Sequence, residues 1–377
     1  MESININNLA EECMKEIKNT MENLKKLNIV IIGKSGVGKS TLINAVFREN
    51  LATTGIGTPV TQRMQLYTKR NFPLAIYDTK GFELGKEAQE EVKNELIEQI
   101  KKGIRSGDIN DTIHCMWYCI NTQSNRFEPE EIQWIKDFRS QINSYKIPII
   151  IVLTMSYSKS HASKMQKVIE KENLDVCKVL PVLALDYEVD ENYTVPAYGL
   201  DKLIEIMEET LPDELADTLM SVQQANLELK RKKALSKVTA AAVAAAAAAA
   251  SPIPFSDSAV LIPIEVTMIA SITAIFGFEF NKSVLTALIS SVFGVGSATI
   301  AGKTIVSGLL KMIPGVGTLA GAAISAGTAS TLTTALGKAY IGIMTLMFNG
   351  ELKEKDLETK AGRDKLGELF HDEMKKN

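Results

Sequence analysis

Eight residues constrain this chain more than any others. Gly33-Lys-Ser-Gly-Val-Gly-Lys39-Ser40 matches the pattern G-x-x-x-x-G-K-[S/T]. An apolar run with the character of a buried strand, Asn28–Ile32, precedes it, and a helical stretch, Thr41–Arg48, follows. Strand, glycine loop and helix in that order make a phosphate cradle. Glycine tolerates positive φ, so the N–H groups of Gly33, Lys34, Ser35, Gly36, Val37 and Gly38 can curl around a β-phosphate. The helix that begins with Lys39, Ser40 and Thr41 adds partial positive charge. Lys39 is expected to bridge the β- and γ-phosphates, and the Ser40 hydroxyl to ligate Mg²⁺.

Two further segments supply what a nucleotide needs. Asp78-Thr-Lys-Gly81 follows the apolar strand Leu74–Tyr77. An aspartate at a strand end can hold a Mg²⁺-bound water, and the Gly81 N–H can meet the γ-phosphate. Between this segment and the glycine loop lies Gly55-Ile-Gly-Thr58-Pro-Val-Thr61-Gln62. A threonine here would reach Mg²⁺; Thr61 is the first choice and Thr58 the second.

The rest of the first 213 residues alternates strand and helix patterns. Strands are predicted at Met64–Lys69, Leu74–Tyr77, Ile113–Ile120, Ile147–Leu153 and Val179–Ala184, besides Asn28–Ile32. Helical patterns fall near 87–105, 128–142, 161–173 and 199–211. Such alternation predicts an α/β fold with a mostly parallel six-stranded sheet flanked by helices. A tight turn at Arg70–Pro73 implies one antiparallel strand. Ahead of it, residues 2–27 carry Leu9, Cys13 and Ile17 at helical spacing, an amphipathic helix expected to pack on one of the domains.

Composition changes sharply further on. Charged residues make up 23% of the 377, yet only eight lie between Ala234 and Asn349. Ten of the eleven residues from Ala240 to Ala250 are alanine, and Ser251-Pro-Ile-Pro-Phe255 must interrupt the helix they form. Apolar, glycine-punctuated helices are expected at 257–278, 282–310 and 317–348, an all-α domain. Two fates are open to them: a soluble bundle, or engagement of a membrane through residues 238–348. Glu265, the only charge between Ala259 and Phe278, and the many small residues make insertion marginal. A net charge of −3 and no basic face with interleaved aromatics argue against nucleic acid. Four scattered cysteines without C-x-x-C argue against zinc and for a cytoplasmic setting, membrane-associated if the helices engage lipid. Cys115 and Cys119 read as core.

With these motifs in this order and spacing, residues 26–213 resemble the translation-factor-like GTPases, in particular the Era-like branch. The resemblance implies GTP and GDP as ligands, Mg²⁺ as cofactor, and catalytic roles for Lys39 and Thr61. Pro252-Ile-Pro-Phe-Ser-Asp257 and Ile313-Pro-Gly-Val-Gly317 resemble a Gly/Ala-rich helical domain that accompanies G domains in bacterial GTPases. Immunity-related and dynamin-like GTPases are a more distant likeness. The expected division is a helix at 1–27, a G domain at 28–213, a helical domain at 214–350 and a charged tail at 351–377. A homodimer through the G domain is a further expectation.

The departures from the family pattern are specific. Its base-reading N-K-x-D or T-K-x-D becomes Thr154-Met155-Ser156-Tyr157, so the carboxylate that accepts two guanine N–H groups is missing. Ala184-Leu185 stand at the second base-contact loop, with Asp186 as a substitute acceptor. Phe82 stands where Ras-like proteins orient water with glutamine, and Gly36 where potassium-using relatives carry asparagine. Gln62, Glu83 and Arg126 are the candidates to replace that function. Slow intrinsic GTP turnover is expected, with the helical domain as the output of a nucleotide switch. A membrane-acting, oligomerising GTPase and a non-catalytic nucleotide-dependent scaffold are the alternatives.

Overall fold

The computed structural model describes residues 6–47, 56–59, 63–68, 72–79, 85–124, 127–250, 257–292, 326–357 and 359. The chain divides into two units: residues 24–226, and residues 1–23 together with 227–377. Helix α1 (Ile6–Glu22) belongs to the second unit and precedes the first in sequence.

The unit of residues 24–226 is a sheet with helices. Its elements are β1 (Leu27–Ile32), α2 (Lys39–Val46), β2 (Ile56–Pro59), β3 (Met64–Thr68), β4 (Leu74–Thr79), α3 (Lys86–Ser106), β5 (Cys115–Asn121), α4 (Pro129–Ile142), β6 (Ile149–Thr154), α5 (Lys159–Glu170), β7 (Lys178–Pro181), β8 (Tyr187–Asp190), β9 (Tyr193–Val195), α6 (Leu200–Thr210) and α7 (Ala216–Val222). The strand order is β2-β3-β4-β1-β5-β6-β7. The five strands from β4 to β7 run parallel, and β3 is antiparallel to β4. These are the six expected strands; β2 adds a short antiparallel edge beside β3. The central strands β1 and β6 are buried along their whole length, which explains their unbroken Ile/Val/Leu runs.

Each sheet face has its own aromatic anchor. On one, Met116 and Tyr118 of β5 join Leu96, Ile100, Trp134 and Phe138, and the last two rings stack at 5.0 Å. Trp117 alternates to the other face and stacks on Phe47, with centroids 5.7 Å apart.

By compactness the sheet unit extends to Asn226, past the expected boundary at 213. Beyond Pro212 the chain turns back into the sheet unit. Gln223 bridges Phe47, the Gln224 N–H donates to the Val46 carbonyl at 2.8 Å, and the Thr218 hydroxyl donates to the Lys25 carbonyl at 2.7 Å.

The other unit is helical. Besides α1 it holds α8 (Leu227–Ala249), α9 (Asp257–Phe276), α10 (Lys282–Val292), α11 (Ala326–Phe348) and α12 (Glu354–Leu357). The buried stripe Leu9, Ala10, Cys13 and Ile17 lays α1 on α9 and α10. Helices α8 and α11 pack closely at Gly337, where a Cβ would stand 2.4 Å from Val238 Cγ2. Residue 230, a lysine, is fully buried and donates to the Ile275 carbonyl at 2.8 Å, satisfying an acceptor in the last turn of α9. Residues 251–256 and 293–325, which include parts of the expected helices, lie outside the described residues. Among the described residues, α11 is the one helix long and apolar enough to cross a membrane, and 61% of its most apolar window is buried within the protein.

Candidate functional site

Strand β1 delivers the chain to the glycine loop. At Gly33 the backbone passes so near β5 that a Cβ would lie 2.7 Å from the Cys119 carbonyl oxygen. Below it the Cys119 thiol, pushed up to about 12 by burial, is a neutral wall. Gly36 and Gly38 adopt φ of +77° and +91°, the left-handed region that favours glycine. Gly38 is also the N-cap of α2 and makes no side-chain cap, so the first N–H groups of α2 are left for an anion.

Lys39 closes over this loop. Its ammonium donates to the Gly33 carbonyl at 2.8 Å and the Lys34 carbonyl at 3.2 Å, and stands 3.8 Å from Asp78 Oδ1. Asp78 is brought there by register, since β4 pairs it with Ile31 at the end of β1. Both side chains are largely shielded, at 11% and 15% exposure, so the pair is weakly screened. Ser40 is exposed in the first turn of α2, beside Lys39. Thr61 and Gly81 lie outside the described residues, as do Gln62, Phe82, Glu83 and Arg126; of Thr58 only its place in β2 is described.

Two contacts hold the loop from outside. The Thr154 hydroxyl, at the end of β6, donates to the Val37 carbonyl at 2.6 Å. Lys34 forms an ion pair with Glu131 at 3.6 Å and stands 3.8 Å from Glu128. Glu131 is buried, which raises its carboxyl pKa, and Lys34 draws it back down. It also completes a capping box with Glu128 at the start of α4. The sequence carried that signal, Glu128-Pro-Glu-Glu131, but nothing in it pointed to the glycine loop.

Beside the loop lies a cavity of about 230 Å³. Gly38, Thr41, Thr154, Met155 and Tyr157 line one part of it, and the run Val182–Tyr187 lines the rest. Met155 adopts φ of +51°, and its Cε reaches 3.5 Å from where a Gly38 Cβ would be. The Tyr157 and Tyr187 rings sit against each other, centroids 4.0 Å apart. Ser156 does not join the lining: its buried hydroxyl donates to the Leu153 carbonyl at 2.7 Å, and its N–H to the Val182 carbonyl. Its carbonyl accepts from the Tyr198 hydroxyl at 2.7 Å, which ties this strand end to the loop after β9. Asp186 Oδ1 accepts from the Ala197 N–H at 2.7 Å.

The structure therefore brings Thr154, Met155, Tyr157, Ala184 and Leu185 together with Gly38 and Thr41, and turns Ser156 into the core. Val182, Leu183 and Tyr187 complete the cavity without having been expected. Tyr187 opens the β8–β9 hairpin, and the alternation Tyr187-Glu-Val-Asp190 before Glu191-Asn192 was its signal. The arrangement can grip a chain of phosphates at the loop and a planar ring system in the cavity next to it.

Two stretches of the chain match known protein families. Residues 28–155 match the family described as 50S ribosome-binding GTPase, and residues 214–369 match a Domain of unknown function (DUF697). Septin-12 of Homo sapiens is 25% identical over 193 residues, 44% of this chain and 52% of that protein. Probable GTP-binding protein EngB of Thermoanaerobacter pseudethanolicus is 28% identical over 176 residues, 46% of this chain and 82% of that protein. The solved septin GTPase domain from Chlamydomonas reinhardtii covers 52% of this chain and 91% of its own at 14% identity, with a TM-score of 0.31. The chain spans about half the length of the septins it matches. The sheet unit is thus homologous to P-loop GTPases, without the Era-like branch being singled out.

Proposed function

We propose that residues 24–226 bind GTP and GDP with Mg²⁺ and hydrolyse GTP slowly, and that the chain acts as a nucleotide switch with its helical region as output. One observation carries this reading: the shielded Lys39 ammonium lies over a glycine loop, 3.8 Å from Asp78 and at the uncapped start of α2. Phosphate oxygens would take over from the Gly33 and Lys34 carbonyls as partners of Lys39. The N–H groups of the loop and of the start of α2 would hold the β-phosphate.

Hard oxygen donors suit magnesium, and this site offers the exposed Ser40 hydroxyl and the Asp78 carboxylate. Ser40 would hold the ion directly and Asp78 through a water; the ion, when bound, neutralises charge on the β- and γ-phosphates. Thr61 and Gly81 complete the proposed contacts to the ion and the γ-phosphate. Phe82 has no group with which to orient water, which supports slow turnover.

Phosphate release from GTP tests the reading. Purified protein should turn over well below one GTP per second without a partner, and Lys39→Ala should abolish what activity there is. Turnover of tens per second, or activity that survives Lys39→Ala, contradicts it.

A further inference from the structure

We infer that Asp186 is the residue that reads the nucleobase, by accepting a hydrogen bond from the 2-amino group of guanine. This rests on the proposal above that a guanine nucleotide occupies the loop and the cavity beside it.

A pocket that selects guanine must accept at the N1–H and 2-amino edge, and donate to the 6-oxo group. Tyr157 stands where a carboxylate would be expected, and a phenol cannot accept two such bonds. Among the residues lining the cavity, Asp186 is the only carboxylate. Its position is set by the Ala197 N–H, which donates to Oδ1 at 2.7 Å. That bond occupies one oxygen, and among the described residues Oδ2 has no hydrogen bond or ion pair. In the same short run, the Ala184 and Leu185 N–H groups have no acceptor among the described residues, and both residues line the cavity. Two donors, at Ala184 and Leu185, are thus followed by one acceptor at Asp186, which suits guanine's 6-oxo and 2-amino groups. Met155 and the paired Tyr157 and Tyr187 rings give the apolar walls that a flat ring needs.

The chemistry of the alternatives sets the order of preference. Hypoxanthine lacks the 2-amino donor. Adenine lacks it too, and turns the N1 lone pair toward the pocket edge. Xanthine presents a 2-oxo group, which faces the carboxylate as acceptor against acceptor.

Calorimetric titration of the full chain with GDP, IDP, XDP and ADP, in Mg²⁺, tests this. The wild type should bind GDP about 10- to 100-fold more tightly than IDP, the range for a hydrogen bond to a charged acceptor. XDP and ADP should be weaker still. Asp186→Asn should close the gap between GDP and IDP and improve XDP, because the amide Nδ2 donates to the 2-oxo group. A wild type that binds GDP and IDP equally overturns the assignment even if the variant does not fold. So does an Asp186→Asn protein, with an unchanged melting temperature, that keeps the GDP preference. A wild type that binds none of the four overturns the nucleotide reading itself, and this assignment with it.

Discussion

At the scale of single residues, the glycine loop and the side chains that support it differ in how specific each residue has to be. Gly33, Gly38 and Lys39 announced themselves because each does something few other residues can: close approach, positive φ, a long-armed cation. Glu131 and Tyr187 did not, because a glutamate or a tyrosine serves many purposes and only the fold brings these two to the site. His114 makes the same point away from the site. The Asn28 N–H donates to its Nδ1 at 2.9 Å, so the ring is neutral there, with its proton on Nε2, 2.8 Å from the Thr112 hydroxyl. Burial pushes its pKa down to about 4, with Lys26 acting the same way and the link to Ile109 opposing. The unfolded chain takes up this proton near the ordinary value of about 6.5, the folded one only near 4. The stability it contributes is therefore complete above about 6.5 and falls by about 3 kcal/mol as pH drops to 4. Imidazole NMR titration should show the His114 ring still neutral at pH 5.5; a midpoint near 6.5 contradicts the buried neutral assignment.

At the scale of elements, periodicity predicted the six strands, and register then carried Asp78 to Lys39. The β8–β9 hairpin was overlooked because its alternation, Tyr187–Asp190, covers only four residues of mostly exposed strand and is a weak signal. Past Pro212 the chain still packs on the sheet unit through the Gln223–Phe47 bridge, a long-range contact with no local signature. Helix α11 offers a matched pair of tests. At Gly337 an added methyl would meet Val238 at 2.4 and 2.7 Å, while at Gly342 nothing lies within 4 Å. Gly337→Ala should destabilise the helical unit by about 1–3 kcal/mol through overpacking. Gly342→Ala should stabilise it by about 0.5–1 kcal/mol through helix propensity. Thermal melts that shift in the same direction for both variants contradict the close packing of α8 and α11.

At the scale of the whole molecule, an ordinary average composition conceals two unlike units. The charged one has a chemistry that its motifs declare. The other is built from small and apolar residues, and takes its first helix from the opposite end of the sequence, which no local pattern could reveal. Its α11 could span a bilayer by length and composition, yet most of its apolar window is occupied within the protein. Lipid engagement through α11 would therefore require this packing to open. The proposed function depends on nucleotide at the glycine loop. The most direct measurement is calorimetric titration of a non-hydrolysable GTP analogue in Mg²⁺ into the wild type and into Lys39→Ala. Losing a shielded, charge-assisted contact to phosphate should weaken binding about 30-fold or more in a Lys39→Ala protein that still unfolds cooperatively. Equal affinity in the two proteins, or no binding by a folded wild type, would contradict the account.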